Sequence, residues 1–124
     1  MQPVLDKNCV ACHQKNADKK APDLGRGDYQ KNAHQWYTSY VNLRTWSFHY
    51  DDPKFETART VPGKFGARGS KLWQLLAKGH HDVKLAPEEM HRLTLWLDCN
   101  SDFFGAYENI ADQAAGKVVK PKIE

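Results

Sequence analysis

Five consecutive residues, Cys9-Val10-Ala11-Cys12-His13, restrict this chain more than anything else in it. On a helix, side chains three apart share a face, so both thiols can reach one object. His13 follows at once and is directed under that object, its imidazole available to a metal. Three other chemistries use paired cysteines, and the rest of the chain fits none of them. A structural zinc site needs a second pair of ligands at similar spacing, and only isolated histidines and Cys99 are on offer. A thioredoxin-like redox pair belongs with an alternating βαβ pattern, and strand signals are weak throughout this sequence. A disulfide framework expects an even number of cysteines, and the chain has three. What fits is covalent haem attachment: two thioethers along one porphyrin edge, with His13 on the iron.

The remaining sequence is read as helices able to enclose such a group. Residues 3–14 form one short helix opening at Pro3, with Val4, Leu5 and Val10 as its apolar side. Residues 15–33, with Pro22, Gly25 and Gly27, are loop. Trp36, Tyr40, Leu43 and Ser47 recur at helical spacing and predict an amphipathic helix over 35–47. Residues 49–69 hold two prolines and three glycines and read as an irregular loop. Ser70 then caps a helix over 71–78 that Gly79 ends, with Leu72, Trp73, Leu75 and Leu76 inward. After a connector at 80–86, Pro87, Glu88 and Glu89 start the strongest helix. Its Met90, Leu93 and Leu97 form a stripe, with Trp96 beside them. The expected fold class is all-α: one mono-haem domain over residues 1–110 with long loops, then a loose tail over 111–124.

With 124 residues the chain fits one domain. Its net charge of +3 is mild, and no dense basic block is interleaved with aromatics, so nucleic acid is not an expected partner. A weakly basic face for an acidic partner stays open. No run approaches 18 apolar residues, so no membrane span is expected. Haem attachment to this motif follows export, yet no export leader precedes it here. The chain is therefore read as a domain of a larger exported protein, periplasmic or otherwise outside the cytoplasm.

With the attachment motif in place, the chain resembles the small class I c-type cytochromes. In that family a proline after the motif offers its carbonyl to the proximal histidine, and a leucine just beyond lines the haem edge. Pro22-Asp23-Leu24 matches both positions, which implies that Pro22 and Leu24 belong to the cofactor site. The segment from Arg59 to Tyr107 is similar to cytochrome-like domains of large exported planctomycete proteins, among them the haem domain of the hydrazine synthase alpha subunit. The pieces that carry this likeness are Ser70-x-Leu72, Gly79-His80, Val83-Lys84-Leu85, and Trp96-Leu97-Asp98 with Asn100. The resemblance implies a small cytochrome c fold, its helices packed around one haem c.

The second axial ligand is open between three residues. Met90 is the only internal methionine, but it lies on the apolar stripe of the last strong helix and reads as core packing. The connector after Gly79 is better placed, and the resemblance favours His80, with His81 as competitor. Of the other histidines, His34 reads as exposed and His91 as lying on a polar helix face. His49, inside an aromatic cluster, reads as packed or as a propionate partner or ligand. Arg44, Lys64 and Arg68 are the candidate partners for haem propionates, Arg68 foremost. Cys99 reads as a small buried residue. The function expected from this set is electron transfer to another redox domain or protein. Catalysis of a peroxidase or hydrazine-synthase type, or sensing of a small gas, would each require an open sixth position.

Overall fold

A computed structural model of the chain describes residues 1–27, 36–49, 61–105, 108–115, 117–120 and 122. His34, the start of the expected 35–47 helix and most of the 49–69 loop lie outside the described residues. Within them all regular structure is helical and no strand occurs, in agreement with the expected all-α class. None of these helices is long and apolar enough to cross a membrane.

The first expected helix is two. α1 (Gln2–Asn8) and α2 (Val10–Lys15) are separated at Cys9, whose φ of −127° leaves the helical range. The hydrogen bonding nevertheless continues through the break, from Cys9 N–H to the Leu5 carbonyl at 2.8 Å and from His13 N–H to the Cys9 carbonyl at 3.1 Å. The kink re-aims α2 without freeing it. A 3-10 turn (Ala17–Lys19) follows, and the chain then runs extended past Pro22. Gln2 anchors this segment from inside the fold. Its amide donates to the Leu24 carbonyl at 3.1 Å, and its carbonyl accepts from the Ser39 hydroxyl. A buried amide left without such partners would cost about 1–3 kcal/mol, so α1, residue 24 and α3 (Thr38–Leu43) are held as a unit.

The second half follows its local signals closely. α4 (Gly66–Gly69) is a single turn inside the segment expected to be irregular. The Asp98 carboxylate, at the end of α6, accepts from the Ala67 N–H at 2.7 Å and ties that turn down. α5 (Lys71–Lys78) begins where the Ser70 hydroxyl accepts from Trp73 N–H, and ends at Gly79 with φ +95°. A side chain at 79 would be strained by that angle, and glycine avoids the penalty. α6 (Pro87–Asp98) carries Leu93 and Leu97, which are 1 % and 0 % exposed. They anchor a core shared with Leu5, Leu24, Leu43, Ala67 and Leu72. Each fully buried leucine contributes roughly 1.5–3 kcal/mol, so this cluster is the principal apolar tie between the two halves. α7 (Ile110–Ala114) is a short helix at the edge of the expected tail.

Cys99 corrects the sequence reading. It caps the end of α6 and is exposed. Asn100 and Ser101 follow with φ of +66° and +54° and turn the backbone there, leaving the thiol outside while Ser101 is buried.

Candidate functional site

The kink at Cys9 sets the site. Cys9 is half-buried and Cys12 exposed, and both line a cavity of about 680 Å³ that also contains His13. Its walls are mostly aliphatic. Val4 and Leu5 come from α1, Leu43 and Trp46 from α3 and its end, Leu72, Leu75 and Leu76 from α5, and Leu93 from α6. The volume lies within the usual range for sites that hold a cofactor. Trp46 is set in place through its backbone, whose carbonyl accepts from Leu72 N–H at 2.9 Å.

Two imidazoles lie close together in the lining of this cavity. The centroids of His13 and His80 are 6.1 Å apart and their planes are inclined by 51°. His13 Nδ1 lies 2.8 Å from the Pro22 carbonyl. A carbonyl can only accept, so Nδ1 carries the proton and Nε2 is left with the lone pair. His80 reaches the same cavity on the connector released by Gly79. A single bridge to Val83, whose N–H donates to the His80 carbonyl at 3.2 Å, pins that connector. Burial, then the neighbouring His81 and His13, hold the His80 pKa below its ordinary value. Its imidazole is thus favoured in the neutral form that binds metals.

The thiols argue in the same direction. Burial, followed by the nearby Cys12 and Glu89, pushes the Cys9 thiol above its ordinary pKa. Dithiol redox motifs depend on the opposite, a lowered pKa that makes a reactive thiolate. Among the described residues no three His, Cys, Asp or Glu side chains are grouped to hold a metal ion by themselves. Two imidazoles in an apolar slot suit a metal whose remaining positions are filled by a macrocycle. The residues present therefore fit a haem: two thiols three residues apart, aliphatic walls and two imidazoles in one cavity.

Other expected site residues separate clearly. Leu24 is 4 % exposed and lines the cavity with Pro22. His81 also lines it, but is exposed, with φ +49° and its ring 4.5 Å from that of His80. Met90 packs against the hydrophobic core and does not line the cavity. Arg68 does not line it either. It stands exposed on α4, where its carbonyl accepts from Gln74 at 2.8 Å. The turn that carries it is fastened to Asp98 at the far end of α6. His49 is half-buried against Tyr40, with ring centroids 6.0 Å apart, outside the cavity. Sequence reasoning had not placed Trp46, Lys19, Asn16 or Leu85 here. Only the helical spacing of Leu72, Leu75 and Leu76 signalled a wall.

A second cavity of about 660 Å³ lies on the other side of Met1, Leu5 and Leu43, which line both. It is aromatic, with Tyr37, Tyr40, Trp96, Phe103 and Phe104 around it. Rings of Tyr40 and Phe103 meet at 5.0 Å, and those of Tyr37 and Phe103 at 5.2 Å.

No protein-family model matches this chain, and neither does any curated protein or solved structure.

Proposed function

We propose that this chain is a c-type cytochrome of class I kind: Cys9 and Cys12 hold one haem c by thioethers, His13 and His80 are its axial ligands, and the domain passes single electrons to another redox domain or protein. The observation that carries this is the pair of imidazoles close together in one cavity. The His13–His80 separation is 6.1 Å. His13 and His80 would hold the iron, since a metal–imidazole bond of about 2 Å from each ring is within reach at such a separation. When bound, the haem supplies a one-electron iron couple whose potential follows its axial ligands and its burial.

The chain's own residues do the rest. The Pro22 carbonyl fixes the His13 tautomer and ring orientation and raises the basicity of Nε2. Gly79 and the His80–Val83 bridge limit the movement of His80. Leu24, Leu43, Leu72 and Leu93, each under 10 % exposed, keep water from the walls. If both imidazoles bound the iron, no position would be left for a substrate, which favours a carrier over a catalyst or gas sensor. Thioether formation of this type follows export, which supports a location outside the cytoplasm.

The test is production with a complete haem-attachment system, followed by mass spectrometry under denaturing conditions and visible spectroscopy. The expected mass is the polypeptide plus one haem. The expected spectrum is low-spin in both oxidation states and indifferent to carbon monoxide. A polypeptide free of haem overturns the proposal, and a high-spin haem that binds the gas replaces the carrier by an open-site protein.

A further inference from the structure

The second cavity, of about 660 Å³, is walled by rings that do not fill it. An interior packed for stability alone leaves few voids larger than a water molecule, so this space is more than imperfect packing. Tyr37, Tyr40, Trp96, Phe103 and Phe104 line it, and each is only half-buried. Their mutual angles explain the room left over. Phe103 meets Tyr37 at 90°, Phe104 at 78° and Tyr40 at 59°, and Tyr40 meets Trp96 at 64°. Rings so inclined touch along edges, and an edge covers less of a neighbour's face than a stacked ring would. The walls are also held by bonds of their own. Trp96 Nε1 donates to the Asp102 carbonyl at 2.9 Å and fastens the loop that carries Phe103 and Phe104. The Gln113 side chain accepts from Gly105 N–H at 3.1 Å and donates to the Glu108 carbonyl at 2.8 Å, tying α7 to that loop.

Among the described residues, three charged side chains belong to this lining: Arg92, Lys117 and Asp102. Lys117 is engaged by Asp112 at 2.8 Å. Arg92, exposed on α6, has no hydrogen bond or ion pair among the described residues. We infer that this cavity binds a small planar aromatic molecule that carries a carboxylate. The rings offer faces on which a flat molecule can stack, and a guanidinium presents donors in a fork that matches a carboxylate. Two cations against one acid set the preferred sign of the ligand. The volume lies in the range of small-molecule sites, which combine apolar and aromatic walls with a few orienting polar groups. Neither Arg92 nor any of the five rings lines the cavity of His13 and His80, so the inference does not depend on the haem reading.

The test is isothermal titration calorimetry of the haem-loaded chain with naphthoate, naphthalenemethanol, naphthylmethylammonium and decahydronaphthoate. Naphthoate is expected to bind tightest, with the saturated acid weaker by about threefold or more for want of a flat face. Arg92→Gln should weaken naphthoate by about fivefold or more and leave the alcohol within about twofold. Arg92→Lys keeps the charge and should recover part of that loss. Phe103→Leu should weaken the acid and the alcohol alike. Arg92 is exposed, so its two variants carry the test should Phe103→Leu fail to fold. No binding at about 1 mM naphthoate overturns the inference, and so does an Arg92→Gln variant that binds as well as the unaltered chain. Equal affinity for the flat and the saturated acid overturns it too. Tightest binding of the ammonium assigns the rings and Asp102 to a cation instead. Binding that shifts the haem spectrum and ignores both positions puts the probe in the first cavity and also overturns it. A chain that acquires no haem is titrated in the same way. Dependence on Arg92 and Phe103 then still reports the second cavity, which keeps the failure of one proposal apart from the failure of the other.

Discussion

Two cavities lined by described residues are nearly equal in size, about 680 and 660 Å³, and share the wall made by Met1, Leu5 and Leu43. Their chemistry differs in kind. One brings two thiols and two imidazoles onto aliphatic walls. The other gathers aromatic rings about 5 Å apart, Tyr37 edge to face with Phe103 and Tyr40 tilted against it, separations at which rings pack well on one another. Volume alone would not choose between them. The first cavity is where thiols and imidazoles share one lining, and that gathering makes it the candidate site.

The sharpest way to break this distinction is to remove the thiols. Cys9→Ser with Cys12→Ser should abolish covalent haem completely, read as the bare polypeptide mass after denaturation. Retained covalent haem would mean that attachment lies elsewhere.

Next in size is His80→Ala, which should turn a low-spin haem into one that binds carbon monoxide. His81→Ala should leave the visible spectrum nearly unchanged, because that ring is exposed. If the two variants exchange behaviour, the connector presents the other imidazole and the ligand is His81.

Phe103→Leu probes the aromatic cavity. It should lower stability by about 1 kcal/mol in chemical denaturation while leaving the haem spectrum as it was. A shifted spectrum would mean that the shared wall transmits packing changes from one cavity to the other.

The smallest effect concerns the tie that holds that wall in place. Lys7 on α1 donates to Glu89 at 2.7 Å, and Glu89 also accepts from Ala86 N–H at 3.0 Å, capping α6. The Lys7 hydrogen bond, then the Ala86 N–H, holds the Glu89 carboxyl below the usual carboxylate range. A lowered carboxyl pKa means the unfolded chain takes up its proton first. The stabilisation is therefore complete above the unfolded value and lost as pH falls through the folded one. Thermal melts of the protein and of Glu89→Gln should differ at neutral pH and converge in acid, and the gap should shrink with added salt. A gap that persists in acid would assign the effect to packing rather than charge.

How much of this was legible beforehand depended on the range of the forces involved. The bounds of α5 and α6 could be read from Ser70, Gly79 and Pro87, since caps and stops act within one turn. The motif and the pairing of His13 with Pro22 were likewise readable, the first from spacing and the second from family resemblance. The kink at Cys9, the turn at Gly66–Gly69 and the exposure of Cys99 were not. The turn at 66–69 is held by a partner distant in sequence, and the exposure of Cys99 goes with left-handed backbone at Asn100 and Ser101 that no local signal announces. The capping of α4 by Asp98 spans 31 residues, and no local pattern at 66–69 announces it. Arg68 was chosen for its charge, and only the packing of α4 on the end of α6 shows that it stands away from the cavity.

The sequence by itself determined the chemistry within reach: two thiols three apart, an adjoining histidine, helical stripes of leucine and a histidine after a glycine. Such features depend on residue identity and on the short-range periodicity of a helix. Only the tertiary structure decided which groups meet. It set His80 rather than Met90 in the cavity with His13 and left Arg68 outside it. The physical reason is that such a gathering is fixed by burial of Leu93, Leu97 and their neighbours. That apolar packing is non-directional and acts between segments that share no local signal.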